Sequence, residues 1–443
     1  MMNPLLIVLG ILALLTGLMW LVAVAGRRWS WSGELSRKVV HVGMGLVCLT
    51  FPLLFRETWP VFLLAGAAVS FLVSIRIVPG LKVRLGGVLG GTGRNSWGEI
   101  WFPLAVAVVF ALRGDNDLLF YIPVLQLTVA DAVAAMVGIR HGAHRFATDD
   151  GRKSAEGSFA FFFAAFLAAT VPLWFFSGMP VLTIGLIGVL LGLGLMLTEA
   201  ISWRGLDNLF IPLACQVVLQ RVWSFPVERL FLESSLLLGM VLVLAAIRRR
   251  THLSRSGAVG AGLVLYGCWL LGGWPWLLGP AATLLGYLLL CPDARRDSPG
   301  HHLVQAVFAV ALPGVLWLYA SRLYAWEQLI YPYSVAYSAQ LAMIASAYFL
   351  GLDRGFSLTK GWLISLSLAF LLPGLPCWWV WWHHPDLVML SGAALVLVAV
   401  ALAIFLWWQP SIRKCPDDEA RWWRQGTLAT LASLLAFFVM RKG

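Results

Sequence analysis

Long apolar runs separated by short polar connections set the pattern of this chain. They predict helices near 4–26, 39–55, 59–75, 100–112, 118–139, 157–177, 181–202, 208–222 and 230–247. After a charged break the runs resume near 256–278, 280–291, 301–321, 332–351, 361–382, 387–408 and 426–440. Runs of about 20 apolar residues match the thickness of a bilayer core. A membrane barrel would instead alternate apolar and polar positions in segments of about ten, and these runs are continuous. The first, Leu5–Ala25, is too long for a signal-peptide core and has no basic stretch before it, so it reads as a retained helix. The expected fold is all-α: a polytopic transmembrane helical protein of about 15–16 helices in two membrane halves. The run RRRTHLSR (248–255) is the best internal boundary, giving one domain over 1–247 and a second over 248–443.

Composition agrees with that class: 60% of the 443 residues are hydrophobic and only 12% are charged. The net charge of +11 is read first as topology rather than as a nucleic-acid surface. Of the 21 Lys and Arg in residues 1–255, 17 fall in alternate connections, and only Arg56, Arg113, Arg221 and Arg229 fall in the others. The positive-inside rule then places the basic loops in the cytoplasm and the N-terminus outside, in a plasma or inner membrane. Six cysteines are scattered, with no spacing that suggests a disulfide framework or a zinc site.

The polar residues of the first half gather in five clusters on the expected cytoplasmic face. These are SRKVVHVGMG (36–45), RNSWGEIWFP (94–103), ADAVAAMVGIRHG (130–142), GRKSAEGS (151–158) and TEAISWRGLDNLFIP (198–212). Each has a plain structural reading. SRK serves as a positive anchor, His41 as a hydrogen-bonded core histidine, and Glu99 as a carboxylate at a helix N-terminus. Asp131 resists such a reading, because it stands in an otherwise uncharged run, where an ionisable side chain costs several kcal/mol unless it meets a partner or a polar cavity. Glu199, Asp207 and Asn208 offer oxygen ligands of the kind Mg²⁺ uses alongside water and substrate phosphate. In GRKSAEGS the cations Arg152 and Lys153, the hydroxyls Ser154 and Ser158, the open backbone at Gly151 and Gly157, and a helix start near 156 are the parts of a phosphate cradle. It is no Walker A loop, since GxxxxGK[ST] is absent and no strand is expected before it.

In this order and spacing, RKVVH (37–41), RNSWGEIWFP, ADAVAAMVGIRHG, KSAEGS (153–158) and EAISWRGLDNLFIP (199–212) resemble the phytol/dolichol kinase family over about residues 30–220. The resemblance implies transfer of the γ-phosphoryl group of CTP, with Mg²⁺, to an isoprenoid alcohol at the cytoplasmic membrane surface. ATP and UTP stay open as donors. Carried onto this sequence, it makes Asp131, Lys153 and Asp207 the catalytic candidates, with Asp131 first choice as the base. Arg94, Arg152, Lys153, Ser154, Glu156, Gly157, Ser158 and Asn208 would hold the nucleotide. Arg37, Lys38, His41 and Glu99 would line the substrate, and Asp131, Glu199 and Asp207 would bind metal. KSAEGS is also similar to a motif of CDP-diacylglycerol synthases, so a CTP-dependent cytidylyltransferase is the alternative enzyme. A transporter without kinase activity is the alternative outside enzymes, since transporters also place carboxylates among broken helices.

The second half is less legible. LSRSGAVGAGLVLYGCWLLGGWPWLL (253–278) resembles the start of a membrane family that includes phytyl-phosphate kinases. That family's acidic middle-helix motif is missing, because YPYSVAYSAQLAMIASAYFLG (331–351) contains no acidic residue. A degenerate or repurposed half, for lipid binding or oligomerisation, is therefore expected. The pairs His301–His302 and His383–His384 lack a third metal ligand nearby, and the Trp-rich stretches CWWVWWHH (377–384) and RWWRQG (421–426) read as interfacial aromatic belts. The expected partners are a membrane lipid alcohol and a nucleoside triphosphate, with no nucleic acid; a homodimer is compatible with the sequence.

Overall fold

The computed structural model describes residues 3–81, 97–148, 151–247, 253–290, 304–351, 355–375, 378, 382, 385–409 and 419–441. Of residues 147, 151, 152, 247 and 419 only the backbone is described. The chain is all-α apart from one small hairpin, and it divides into two compact units, Met1–Ser234 and Ser235–Gly443. Among the described residues nine helices are long and apolar enough to cross a membrane.

In the first unit, α1 (Pro4–Arg28) starts on Asn3, whose side chain accepts from the Leu5 amide at 3.0 Å, with Pro4 at the first helical position. Arg27 and Arg28 occupy its last turn, where cations complement the helix dipole. α2 (Gly33–Cys48) begins six residues before the expected start, because Ser32 caps it through the Leu35 amide at 3.2 Å. Arg37 and Lys38 are therefore on the helix rather than in a flanking loop, one turn before His41 at i+4 and i+3 spacing. A one-turn α3 (Phe51–Leu54) and α4 (Trp59–Ile77) follow. α5 (Gly98–Leu112) packs on α4 and on α10 (Asp207–Val222).

α6 (Leu118–Leu125) and α7 (Asp131–His141) form one rod interrupted by a π turn at Gln126–Ala130. Such turns insert a residue and leave carbonyls outside the regular ladder, often beside functional groups. Three neighbours hold this one. The Gln126 Nε2 donates to the Ala165 carbonyl at 2.8 Å, and His41 Nε2 lies 2.9 Å from the Leu127 carbonyl. Thr128 fills the space beside Gly45 that a side chain there would need.

The sequence between α7 and the next helix departs from expectation. β1 (Arg145–Thr148) and β2 (Gly151–Ser154) pair antiparallel, Arg145 opposite Ser154 and Thr148 opposite Gly151. A strand thus precedes the GRKSAEGS helix after all. The two runs are only four residues each, too short to show alternation. The hairpin still is not a βαβ phosphate loop, because its strands are antiparallel neighbours. α8 (Ala155–Phe176) follows at once, capped by the buried Ser154 hydroxyl, which accepts from the Gly157 amide at 3.1 Å. Gly157 lets α8 approach α7 closely: a Cβ there would sit 3.2 Å from the Gly138 Cα. α9 (Val181–Ile201) packs on α8, and α11 (Val227–Ile247) carries the chain across the division between the units.

The second unit is built around one helix. α12 (Arg255–Gly272), α13 (Trp274–Leu290) and α14 (Val304–Tyr324) precede α15 (Ile330–Leu350). Every residue of α15 except Tyr348 and Phe349 is buried, as expected of a helix with no polar face. α13, α14, α16 (Leu358–Ala369), α17 (Leu387–Trp408) and α18 (Glu419–Met440) all pack on it. Its Ala and Ser residues let those neighbours come close. α18 starts earlier than expected and takes RWWRQG into the helix. Trp423 is exposed, but Trp422 is turned inward and buried, so that stretch is only in part a membrane-interface belt.

Candidate functional site

The first unit brings the polar clusters of α2, α5, α7, α8, α9 and α10 toward one region. At its centre is a buried ion pair. Lys38 Nζ lies 2.5 Å from Asp131 Oδ2 and 3.4 Å from the Asp131 backbone oxygen. A lone charge at this depth would cost several kcal/mol, and each residue supplies the partner the other needs. His41 completes the group: its Nε2 is 3.7 Å from Asp131 Oδ2, and its ring meets Phe102 edge-on at 5.0 Å between centroids. Arg37 is held on its own helix by Glu34 at 2.6 Å and lies within electrostatic reach of both Asp131 and Asp207.

α5 and the start of α10 are fastened together beside this group. The Trp97 amide donates to the Arg204 carbonyl at 3.1 Å. Arg204 and Gly205 make the turn with positive φ of 50° and 80°. Asn208 presses against Gly98: a Cβ there would fall 2.6 Å from Asn208 Nδ2 and would push that side chain aside. Glu99, one residue on, accepts from Arg76 Nε at 2.8 Å, and the Arg76 guanidinium lies 4.5 Å over the Trp97 ring. Asp207 Oδ1 accepts from the Asn208 amide at 2.9 Å, whereas Asn208 Oδ1 is buried and finds no partner among the described residues. A cleft of about 440 Å³ opens here, with Arg37, His41, Glu99 and Asn208 as its polar lining and Met44 and Phe102 among its apolar walls.

The third part is the mouth of α8. Lys153, in β2, donates to both the backbone and the side chain of Glu199, its Nζ 2.6 Å from Oε1. Glu199 in turn lies within electrostatic reach of Asp131 and Asp207, which ties this pair to the other two groups. Glu156 turns away to close the hairpin, accepting from the His144 amide at 3.1 Å and lying 2.7 Å from its Nδ1. Ser158 Oγ is buried one turn into α8 and has no partner among the described residues. Arg94 lies outside the described residues, and of Arg152 only the backbone is described.

Sequence reasoning singled out Asp131, Lys38, His41, Lys153 and Glu199 but did not foresee how they pair. It missed Arg76 as the partner of Glu99, and it missed Gln126, whose position in an apolar run gives no sign of the π turn it anchors. Among the described residues no three His, Cys, Asp or Glu side chains form a ready-made metal cage. Two of the three carboxylates proposed as ligands already face a lysine. Asp207 and the orphaned Asn208 oxygen remain, a donor set that fits Mg²⁺ in its usual mode of few protein ligands completed by water and phosphate.

No family model matches the chain, and no solved structure matches it. It is, however, 32% identical over 220 residues to a curated protein of Synechocystis sp. named phytol kinase. The alignment takes in 48% of this chain and 91% of that relative. This chain belongs to the phytol kinase family. The match thus covers nearly all of the relative and about half of this chain.

Proposed function

We propose that this chain is a lipid-alcohol kinase whose first unit transfers the γ-phosphoryl group of CTP to the hydroxyl of an isoprenoid alcohol. A lipid-alcohol kinase is what family membership implies; the donor, the metal and the membrane face are the further parts of the proposal. The observation that carries it is the buried Lys38–Asp131 pair with His41 beside it, next to a cleft that is polar at Arg37, Glu99 and Asn208 and apolar at Met44 and Phe102. A water-borne nucleotide and a membrane-borne alcohol need such a meeting of polar mouth and greasy wall.

Phosphoryl transfer asks little covalent work of a protein, and most of the catalysis is placement and charge. In this reading the alcohol lies along Met44 and Phe102 with its hydroxyl toward Asp131. The hydroxyl oxygen forms the new bond to the γ-phosphorus, the bond to the bridging oxygen breaks, and CDP leaves. The hydroxyl proton passes to an Asp131 oxygen, with Lys38 keeping that carboxylate oriented. Lys153, positioned by Glu199, and Arg37 neutralise the phosphates, with Arg152 and Arg94 assigned to the same task from the sequence. Asp207 and Asn208 Oδ1 would hold Mg²⁺, with Glu199 or Asp131 able to contribute. When bound, the ion supplies neutralisation of phosphate charge and fixes the triphosphate's orientation. The basic connections, hairpin included, face the cytoplasm by the positive-inside rule.

The test is product identity. Purified full-length protein given CTP, Mg²⁺ and phytol, farnesol or a polyprenol should yield the alkyl monophosphate by mass spectrometry. Absence of a phosphorylated product with every alcohol and nucleoside triphosphate would overturn the proposal.

A further inference from the structure

The second unit contains an apolar cavity, open on one side and about 600 Å³ with that open space included, that the kinase reading does not use. Its walls come from α12, α13, α14, α15 and α18, with Val264, Pro280, Tyr287, Val310, Ile344 and Trp422 among them. On α13 and α15 the lining runs from residue 280 to 287 and from 337 to 344, so it spans about two helical turns, roughly 10 Å at ~1.5 Å per residue. The lining carries no Asp, Glu, Lys or Arg.

Two buried amides stand beside that cavity. Gln425 is fully buried, and neither its Oε1 nor its Nε2 has a partner among the described residues. It is three residues after Trp422 on α18, and so shares the face that lines the cavity. The next residue, Gly426, packs so closely on α14 that a Cβ would lie 2.9 Å from the Ala309 carbonyl. Gln340 is also fully buried, between the lining residues Tyr337 and Ile344. Its Nε2 donates to that same Ala309 carbonyl at 3.2 Å, while its Oε1 finds no partner among the described residues. Three unmet hydrogen-bonding atoms of two neutral side chains thus gather around Ala309, at the wall of an apolar space. Buried hydrogen-bonding groups left unpaired are costly, so a ligand that satisfies them is favoured.

We propose that the second unit binds a long-chain alcohol, its hydrocarbon in the cavity and its hydroxyl between Gln425 and Gln340. An alcohol is the class that fits, because one hydroxyl both donates and accepts. It can donate to a glutamine Oε1 and accept from the Gln425 Nε2. A buried cation, Arg421, lies one turn before Gln425 with its guanidinium 4.2 Å over the Trp422 ring, so a phosphate-headed competitor is the control that separates an alcohol from an anion; a plain hydrocarbon would leave all three atoms unmet. The unit would then hold the same class of molecule that the kinase reading assigns to the first unit, as a separate binding site.

The experiment is photolabelling of the full-length protein in nanodiscs with a diazirine-bearing farnesol analogue, followed by peptide mapping. Label on peptides containing Tyr287, Ile344 or Trp422, displaced by farnesol at least tenfold better than by the matching hydrocarbon, is expected. Gln425→Leu should remove that preference while leaving apolar labelling in place. Ala261→Trp, which fills the cavity, should abolish the label if the Leu variant does not fold. Farnesyl phosphate competing as well as farnesol, equal competition by alcohol and hydrocarbon, or no label on these peptides would each overturn the proposal. The readout is binding, so it stands or falls apart from the kinase assay, and both variants should keep their activity at saturating alcohol.

Discussion

Lys38 and Asp131 are each expensive to bury and inexpensive together, which makes their separate removal unequal to their joint removal. Asp131→Asn leaves an unpaired ammonium inside the protein, and loss of one partner of a buried pair costs about 3–5 kcal/mol. The Lys38 contact therefore predicts a stability loss in this variant as well as a loss of activity. Lys38→Met with Asp131→Asn should regain most of the thermal stability of the detergent-solubilised protein and remain inactive. Recovery of activity in the double variant would remove Asp131 from the mechanism. Lys153→Ala should lower kcat by about 10²–10³, as loss of one charge-stabilising group does, with a stability loss smaller than that of Asp131→Asn because the Lys153 side chain is more accessible than that of Lys38. Asp207→Asn and Asn208→Ala should raise the Mg²⁺ concentration for half-maximal activity at least about tenfold, by analogy with the loss of a metal-site group. An unchanged Mg²⁺ response in both would place the metal elsewhere. Asp131 was legible as a residue because a charge in an apolar run stands out. Its partner was not, because Lys38 is 93 positions away and read equally well as a membrane anchor.

At the level of elements, hydropathy located the helices well but not the devices that aim the site. Ser32 moved the start of α2 back by about two turns, because a cap outweighs the polar character of the residues after it. Neither the π turn before Asp131 nor the hairpin before α8 announces itself in hydropathy, since each is only a few residues long. Their importance can be measured. Gly98→Ala pushes a methyl group into Asn208 Nδ2, at the joint between α5 and α10. Overpacking of this kind costs about 1–3 kcal/mol. Activity should fall by more than that stability loss explains, because Asn208 is displaced with it. A variant as active as the parent would show that Asn208 has no place in the site.

For the whole molecule, the charge pattern makes a claim about sidedness that the helices alone do not. The hairpin between α7 and α8 should lie on the cytoplasmic side, and the turn between α5 and α6 on the other. Single cysteines at His144→Cys and Asp115→Cys, in a background freed of native cysteines, should react with an impermeant thiol reagent from opposite faces of oriented vesicles. Labelling of both from one face would break the assigned topology. The fold class was plain from the apolar runs, whereas the role of the second unit was hidden. The residues that mark it are Gln340, in a helix with no formal charge, and Trp422 and Gln425, in a segment that reads as a membrane-interface belt until packing turns them inward.

The most direct test of the kinase account follows the phosphorus. Purified full-length protein is incubated with phytol, Mg²⁺ and CTP labelled on either the γ- or the α-phosphate, and the organic-extractable lipid is counted. Label entering lipid from the γ-position and none from the α-position is the predicted result. Label from the α-position would mark a cytidylyltransferase, and no label from either, with the protein folded and all substrates present, would contradict phosphoryl transfer itself.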